Sequence, residues 1–138
     1  MIELYKAIYD RFKNSADPNP VLLRDAMSDM YPDEGPDSAV FPFDTVSLIS
    51  TVSSWTMGAA GSNIDEPLIR HAIWDDISYP DRVMAAGKLV VATFKDVLLT
   101  LPDRHVIRAD KIGERQLRDP DNKGWQYIVE FRYYLQTK

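Results

Sequence analysis

The chain contains no cysteine. That excludes disulfides, thiolate-bound metals and cysteine nucleophiles, fits a reducing compartment, and leaves stability to packing or to partners. Histidine is nearly as scarce, with only His71 and His105. His71 and Asp75 lie four apart on an expected strand and therefore share a face. A metal there would need a third and fourth ligand, which the spacing does not supply. No G-x-S-x-G elbow surrounds Ser47, Ser50, Ser53 or Ser54, and Gly58-Ala59-Ala60-Gly61 lacks the lysine of a phosphate loop. The expectation is therefore no catalytic residues, no metal ligands and no cofactor. The alternative enzyme would be a small metal-dependent one centred on His71 and Asp75. His105 and Arg104, at a helix-to-strand junction, are expected to bind the last helical carbonyls.

Long apolar runs are also missing, and MIELYKAIYDRF lacks the basic-then-apolar order of a signal peptide, so the expectation is a soluble protein with no membrane partner. Basic residues are in deficit, 16 against 21 acidic, for a formal net charge of -5. That argues against a general nucleic-acid binder. The deficit is local: Asp17, Asp25, Asp29, Asp33, Glu34 and Asp37 face only Arg24 across 17–37. Such a segment is either a solvated loop or an electrostatic docking surface.

What is present describes one domain, since 138 residues and 45% hydrophobic content suffice for a single sizeable core. Leu4, Tyr5, Ile8 and Phe12 fall at helical spacing, so 2–14 is expected to be a helix. Asp17-Pro18 and Pro20 end it, and a short second helix over 21–30 is possible before the loop at Tyr31-Pro32-Asp33-Glu34-Gly35-Pro36. FPFDTVSLISTV, from Phe41, reads as a strand. SSWTMGAAGSNID reads as a glycine-containing connection in which Trp55 and Met57 stand out, either tucked against the sheet or awaiting a partner. Pro67 to Asp75 reads as the next strand.

The longest helix is expected to follow, from Ser78-Tyr79-Pro80-Asp81 to a stop at Pro102, with Val83, Ala86, Val90, Phe94, Val97, Leu98 and Leu101 as its apolar stripe. HVIRADKIGERQL then resumes strand character, with Gly113 a candidate bulge. After the turn at 119–124, Trp125, Tyr127, Val129, Phe131, Tyr133 and Leu135 alternate cleanly, and Ile128 and Tyr134 interrupt the polar face. The expected fold is a two-layer α+β sandwich in the order α-β-β-α-β-β. A mainly antiparallel four-stranded sheet would be covered by the N-terminal helix and the long central helix, with mobile loops at about 17–39 and 53–66.

This order, carried by IELYKAIYDRF, VFPFDTVSLIS, PLIRHAIWDD, SYPDRVMAAGKLVVATFKDVLLTL and RADKIGERQLRDPDNKGWQYIVEFRYYL, resembles the tail completion and tail terminator proteins of long-tailed bacteriophages. The pair Trp74-Asp75 is the most suggestive piece, and the acidic insertion from Asp17 to Asp37 departs from the family plan. The resemblance implies a non-enzymatic structural protein at the head-proximal end of the tail, assembled in the host cytoplasm into a ring, usually a hexamer. Its partners would be its own copies, the tail tube protein and a head-completion or neck protein. Another head-closure, neck or minor tail component is the neighbouring alternative. A cellular adaptor domain using the Trp55 loop is a third. Asp25, Asp29, Asp33, Glu34, Trp55 and Met57 are the candidate assembly contacts.

Overall fold

The computed structural model describes residues 2–55, 63–119 and 124–137. Its elements are α1 (Ile2–Asn14), α2 (Pro18–Ala26), β1 (Met30–Pro32), β2 (Phe43–Trp55), β3 (Asn63–Asp75), α3 (Asp81–Phe94), β4 (Arg104–Asp119) and β5 (Gly124–Thr137). The strands form one sheet of five in the order β1-β2-β3-β5-β4. All pairings are antiparallel except β1 with β2, which is parallel.

The sheet is thus mixed and five-stranded, not antiparallel and four-stranded, and three helices accompany it, not two. Both additions fall inside the acidic stretch. α2 begins at Pro18, a residue whose fixed φ and missing N–H suit a first helical turn. It ends at Ala26, short of the residues from Met30 that enter the sheet as β1. Three residues are too few for alternation to reveal a strand. β2 and β3 also reach further than expected, taking up 53–55 and 63–65; most of the expected glycine connection, including Met57, lies outside the described residues.

One apolar cluster joins the helices to a single face of the sheet. α1 contributes Leu4, Ile8 and Phe12, α2 contributes Leu23, and α3 contributes Val83, Ala86, Val90 and Phe94. From β5 come Tyr127, Val129, Phe131, Tyr133 and Leu135, the alternating set expected to face inward. Trp125 begins that set but is only partly buried, and its indole donates to the carbonyl of Ser78 at 3.0 Å. Ile128 is buried on the opposite face, opposite Ala72 of β3 and Arg115 of β4. The apolar break in the polar face is therefore filled within one subunit. Beside it, the Arg108 guanidinium lies 4.3 Å from the centre of the Tyr134 ring.

α3 is shorter than its apolar spacing implied. It stops at Phe94, because Lys95 is extended and Asp96 takes the left-handed φ of 60°. Leu99 and Leu101 still reach the core, from extended chain, while Leu98 is exposed. The expected serine cap is also absent: Pro80 occupies the N-cap without a side-chain bond. Inside the helix, Gly87 lets β5 approach, since a Cβ there would lie 2.2 Å from the Tyr127 ring. In β4, Ile112 is the extra residue of a bulge between Lys111 and Gly113, and Ile107 is the extra residue of another.

Candidate assembly surfaces

Among the described residues, the one pair of polar side chains wholly inside the core is His71 of β3 with Asp44 of β2, whose Nδ1 and Oδ2 are 2.6 Å apart. The imidazole stacks on Phe94 and meets the edge of Phe131. Burial pushes the Asp44 carboxyl above its usual range, against the opposing pull of the imidazole. No solvent reaches either group, so the pair joins strands and has no access to a substrate. Asp75, the partner expected for His71, is taken instead by Arg82 of α3 at 2.8 and 2.5 Å. The enzyme alternative loses its geometry here, since both residues have other partners. Among the described residues no group of three or more His, Asp or Glu side chains is placed to hold a metal.

Arg104 does not bind helical carbonyls: it pairs with Asp65. His105 is exposed on β4. The carbonyls at the end of α3 are served from the N-terminal region, by Arg11 Nε on Thr93 O at 2.7 Å and Asn19 Nδ2 on Ala92 O at 3.5 Å. Arg11 lies 82 residues before Thr93 in the chain, so no local signal marks it.

The four acidic candidates divide into two kinds. Asp29 is tied internally, accepting from the Tyr9 hydroxyl at 3.1 Å and from the Met30 N–H at 2.8 Å. Asp25 is exposed on α2, and Asp33 and Glu34 are exposed where the chain leaves β1. Asp33 has a φ of 62°, which turns the chain away from the sheet. That turn then packs on aromatic rings: a Cβ on Gly35 would lie 2.6 Å from the Phe43 ring, which itself contacts Tyr31 and Phe41. The acidic turn thus sits on a fixed aromatic base at one edge of the sheet, with Val40 and Phe41 exposed beside it. Trp55 is the last residue of β2, paired with Asn63, and Met57 lies outside the described residues.

At the other edge, β4 carries a polar cluster in which Glu114 accepts from Tyr127 Oη at 2.7 Å, Lys111 Nζ at 3.0 Å and Lys88 Nζ at 3.3 Å. The Tyr127 hydroxyl first, then the two ammonium groups, hold the Glu114 carboxyl down at about 2. On the open face, Glu130 bridges Arg115 at 3.1 Å and Arg70 at 3.6 Å. The surface charges are therefore largely paired along β4 and the open face and unbalanced at the β1 edge.

No protein-family model matches the sequence, and no curated protein matches it significantly. Among solved structures, the fold is similar to that of a chain in the virion of a native gene transfer agent particle, with a TM-score of 0.71 at 15% identity. The likeness extends over 97% of this chain and 95% of that one, so the whole domain is shared as a fold.

Proposed function

We propose that this chain is a non-enzymatic structural protein of a phage-like virion, which caps the tail tube and forms the ring that joins tail to head. The observation that carries the reading is the end-to-end fold likeness to a chain of a gene transfer agent virion. The internal chemistry agrees: the one buried acid–imidazole pair is sealed in the core, and the exposed charges form pairs and patches suited to contact. In this reading copies of the chain form a ring, on the family resemblance a hexamer, with the tail tube protein on one side and a head-completion or neck protein on the other. Asp25, Asp33, Glu34, Trp55 and Met57 are its proposed contacts, whereas Asp29 serves mainly to hold β1. The runner-up is a neighbouring joint or minor tail component, which the same fold likeness favours.

The test is to image the purified protein by negative stain, alone and with purified tail tubes, and to measure co-sedimentation. Rings seated on one tube end are expected, with tubes no longer elongating. Protein that neither binds nor caps tubes sinks the terminator reading, and binding to isolated heads alone favours the runner-up.

A further inference from the structure

β1 pairs with β2 only from Met30 to Pro32, opposite Asp44 to Val46. The Asp33 N–H still donates to the Val46 carbonyl at 2.9 Å, and the Glu34 N–H then closes back on the Pro32 carbonyl at 2.7 Å, a tight turn about the left-handed Asp33. β1 is fixed short of the rest of β2, because the Tyr5 hydroxyl holds the Met30 carbonyl against α1 at 3.1 Å. From Ser47 on, among the described residues, β2 is paired on one side only, to β3. The line that β1 leaves empty runs beside an apolar cavity of about 390 Å³, with Ile2 and Ile8 of α1 on one wall and Leu48 and Ile69 of the sheet on the other. Pro32 stands opposite Val46, so the next position of that line on the same face stands opposite Leu48, at the cavity.

Two features narrow what fills this place. β2 bulges at Ile49, the extra residue between Leu48 and Ser50, and a bulge at an edge interrupts the ladder. Backbone pairing there is short, so an occupant needs a side chain anchored in the cavity. The second feature is charge. Asp33 lines the cavity with Lys6 as the one cation beside it, and Glu34 and Asp37 follow, both exposed, in a stretch from 25 to 37 that holds no basic residue. The free edge of a second copy does not answer that charge. Over 110–119 β4 holds three basic and three acidic residues, with Lys111 paired to Glu114 and Arg115 to Glu130.

We infer that the empty line beside β2 takes an extended segment of a different polypeptide, which adds a short strand at Ser47 and Leu48. It buries one large apolar side chain in the cavity and sets a lysine or arginine beside Asp33 and Glu34. Main-chain hydrogen bonds and the buried anchor supply affinity, and the acidic turn fixes which end of the segment lies next to β1. This contact requires neither ring closure nor tube capping, so it stands or falls separately from them.

The probe is a panel of fluorescein-labelled ten-residue peptides of serine and threonine with one central phenylalanine and a Lys-Arg pair at either end, and binding to the purified full chain is read by anisotropy. One of the two orders is expected to bind saturably. Changing its phenylalanine to alanine should weaken binding at least about tenfold. Replacing Lys-Arg with Glu-Glu should weaken it at low salt, by a factor that shrinks as salt rises. Successive amides of a strand face opposite sides, so N-methylation of one alternate set should abolish binding and of the other set should not. Leu48→Lys, at an exposed position and with the fold checked by circular dichroism, should abolish it too. Absence of saturable binding by both Lys-Arg peptides overturns the proposal, as does equal binding of the alanine and phenylalanine peptides. Equal sensitivity to the two N-methylated sets overturns the strand pairing. Self-association of the peptide-free chain in sedimentation equilibrium, abolished by Leu48→Lys, would make a second copy the occupant and overturn the assignment to a different polypeptide.

Discussion

Asp44 and His71 show how differently a residue reads in sequence and in the fold. Asp44 sits in FPFDTVSLIS as one more polar residue of a strand, and only the β2–β3 register brings it to His71, 27 positions away. A fully buried, hydrogen-bonded acid–imidazole pair recovers little of its desolvation cost, but removing one partner leaves the other's polar group buried without its hydrogen bond. Asp44→Ala is therefore expected to cost about 3–5 kcal/mol in chemical denaturation. Asp44→Val combined with His71→Met should recover most of that loss, and a double variant as unstable as the single one would show that the pair itself stabilises the fold. Glu114 is the opposite case, a partly exposed carboxylate. Its folded pKa, about 2, is depressed from 4.5, so its contribution is complete above about pH 5 and fades as pH falls toward 2. After allowance for solvent screening this is about 1 kcal/mol. Glu114→Gln should flatten the decline in stability between pH 5 and pH 2, as measured by urea midpoints, and an unchanged slope would remove this role.

Among the elements, α3 depends on a residue that its own periodicity cannot explain. Gly87 normally weakens a helix by about 1 kcal/mol relative to alanine, and here it admits the Tyr127 ring. The ring is held by its hydroxyl on Glu114, so it cannot swing aside freely. Overpacking costs about 1–3 kcal/mol and outweighs the propensity gain. Gly87→Ala should thus be destabilising in thermal denaturation, and Tyr127→Leu added to it should restore part of the loss; stabilisation by the single change would show that α3 can shift. The existence of α1, α3 and the four long strands was legible, because each is long enough for its period to show: 3.6 in IELYKAIYDRF, 2 in WQYIVEFRYYL. α2 was legible only as a short helix over 21–30, placed too late because Pro18 and Pro20 read as breakers, and β1 was not legible, because three residues give no period and its place comes from pairing with β2. The end of α3 misread for a related reason: Val97, Leu98 and Leu101 continue the spacing, but Asp96 turns left-handed and its N–H joins β4.

For the whole molecule, the proposed ring draws candidate contacts from the acidic turn at the β1 edge of the sheet. Neutralising the acidic turn with Asp33→Asn, Glu34→Gln and Asp37→Asn leaves the core untouched, since all three side chains are exposed. Ring formation should then weaken and lose much of its dependence on salt, as read by sedimentation across ionic strength. Unchanged assembly would show that this turn lies outside the contact. Of the candidate residues, the sequence marked the acidic cluster through charge bias alone. That Asp29 is spent internally while Asp33 and Glu34 stay outside was decided by Tyr9, the Met30 N–H and the left-handed turn.

The amino-acid order by itself determined the absence of thiol chemistry, the α+β class and most of the inward-facing residues, because each follows from composition or from a period repeated several times within one element. Tertiary structure alone decided the partners of His71 and Asp75, the cap that Arg11 places on α3, and the strand order that puts β1 at one edge of the sheet and β4 at the other. Each of these joins residues far apart in the chain, and no local pattern records which strand will stand beside which.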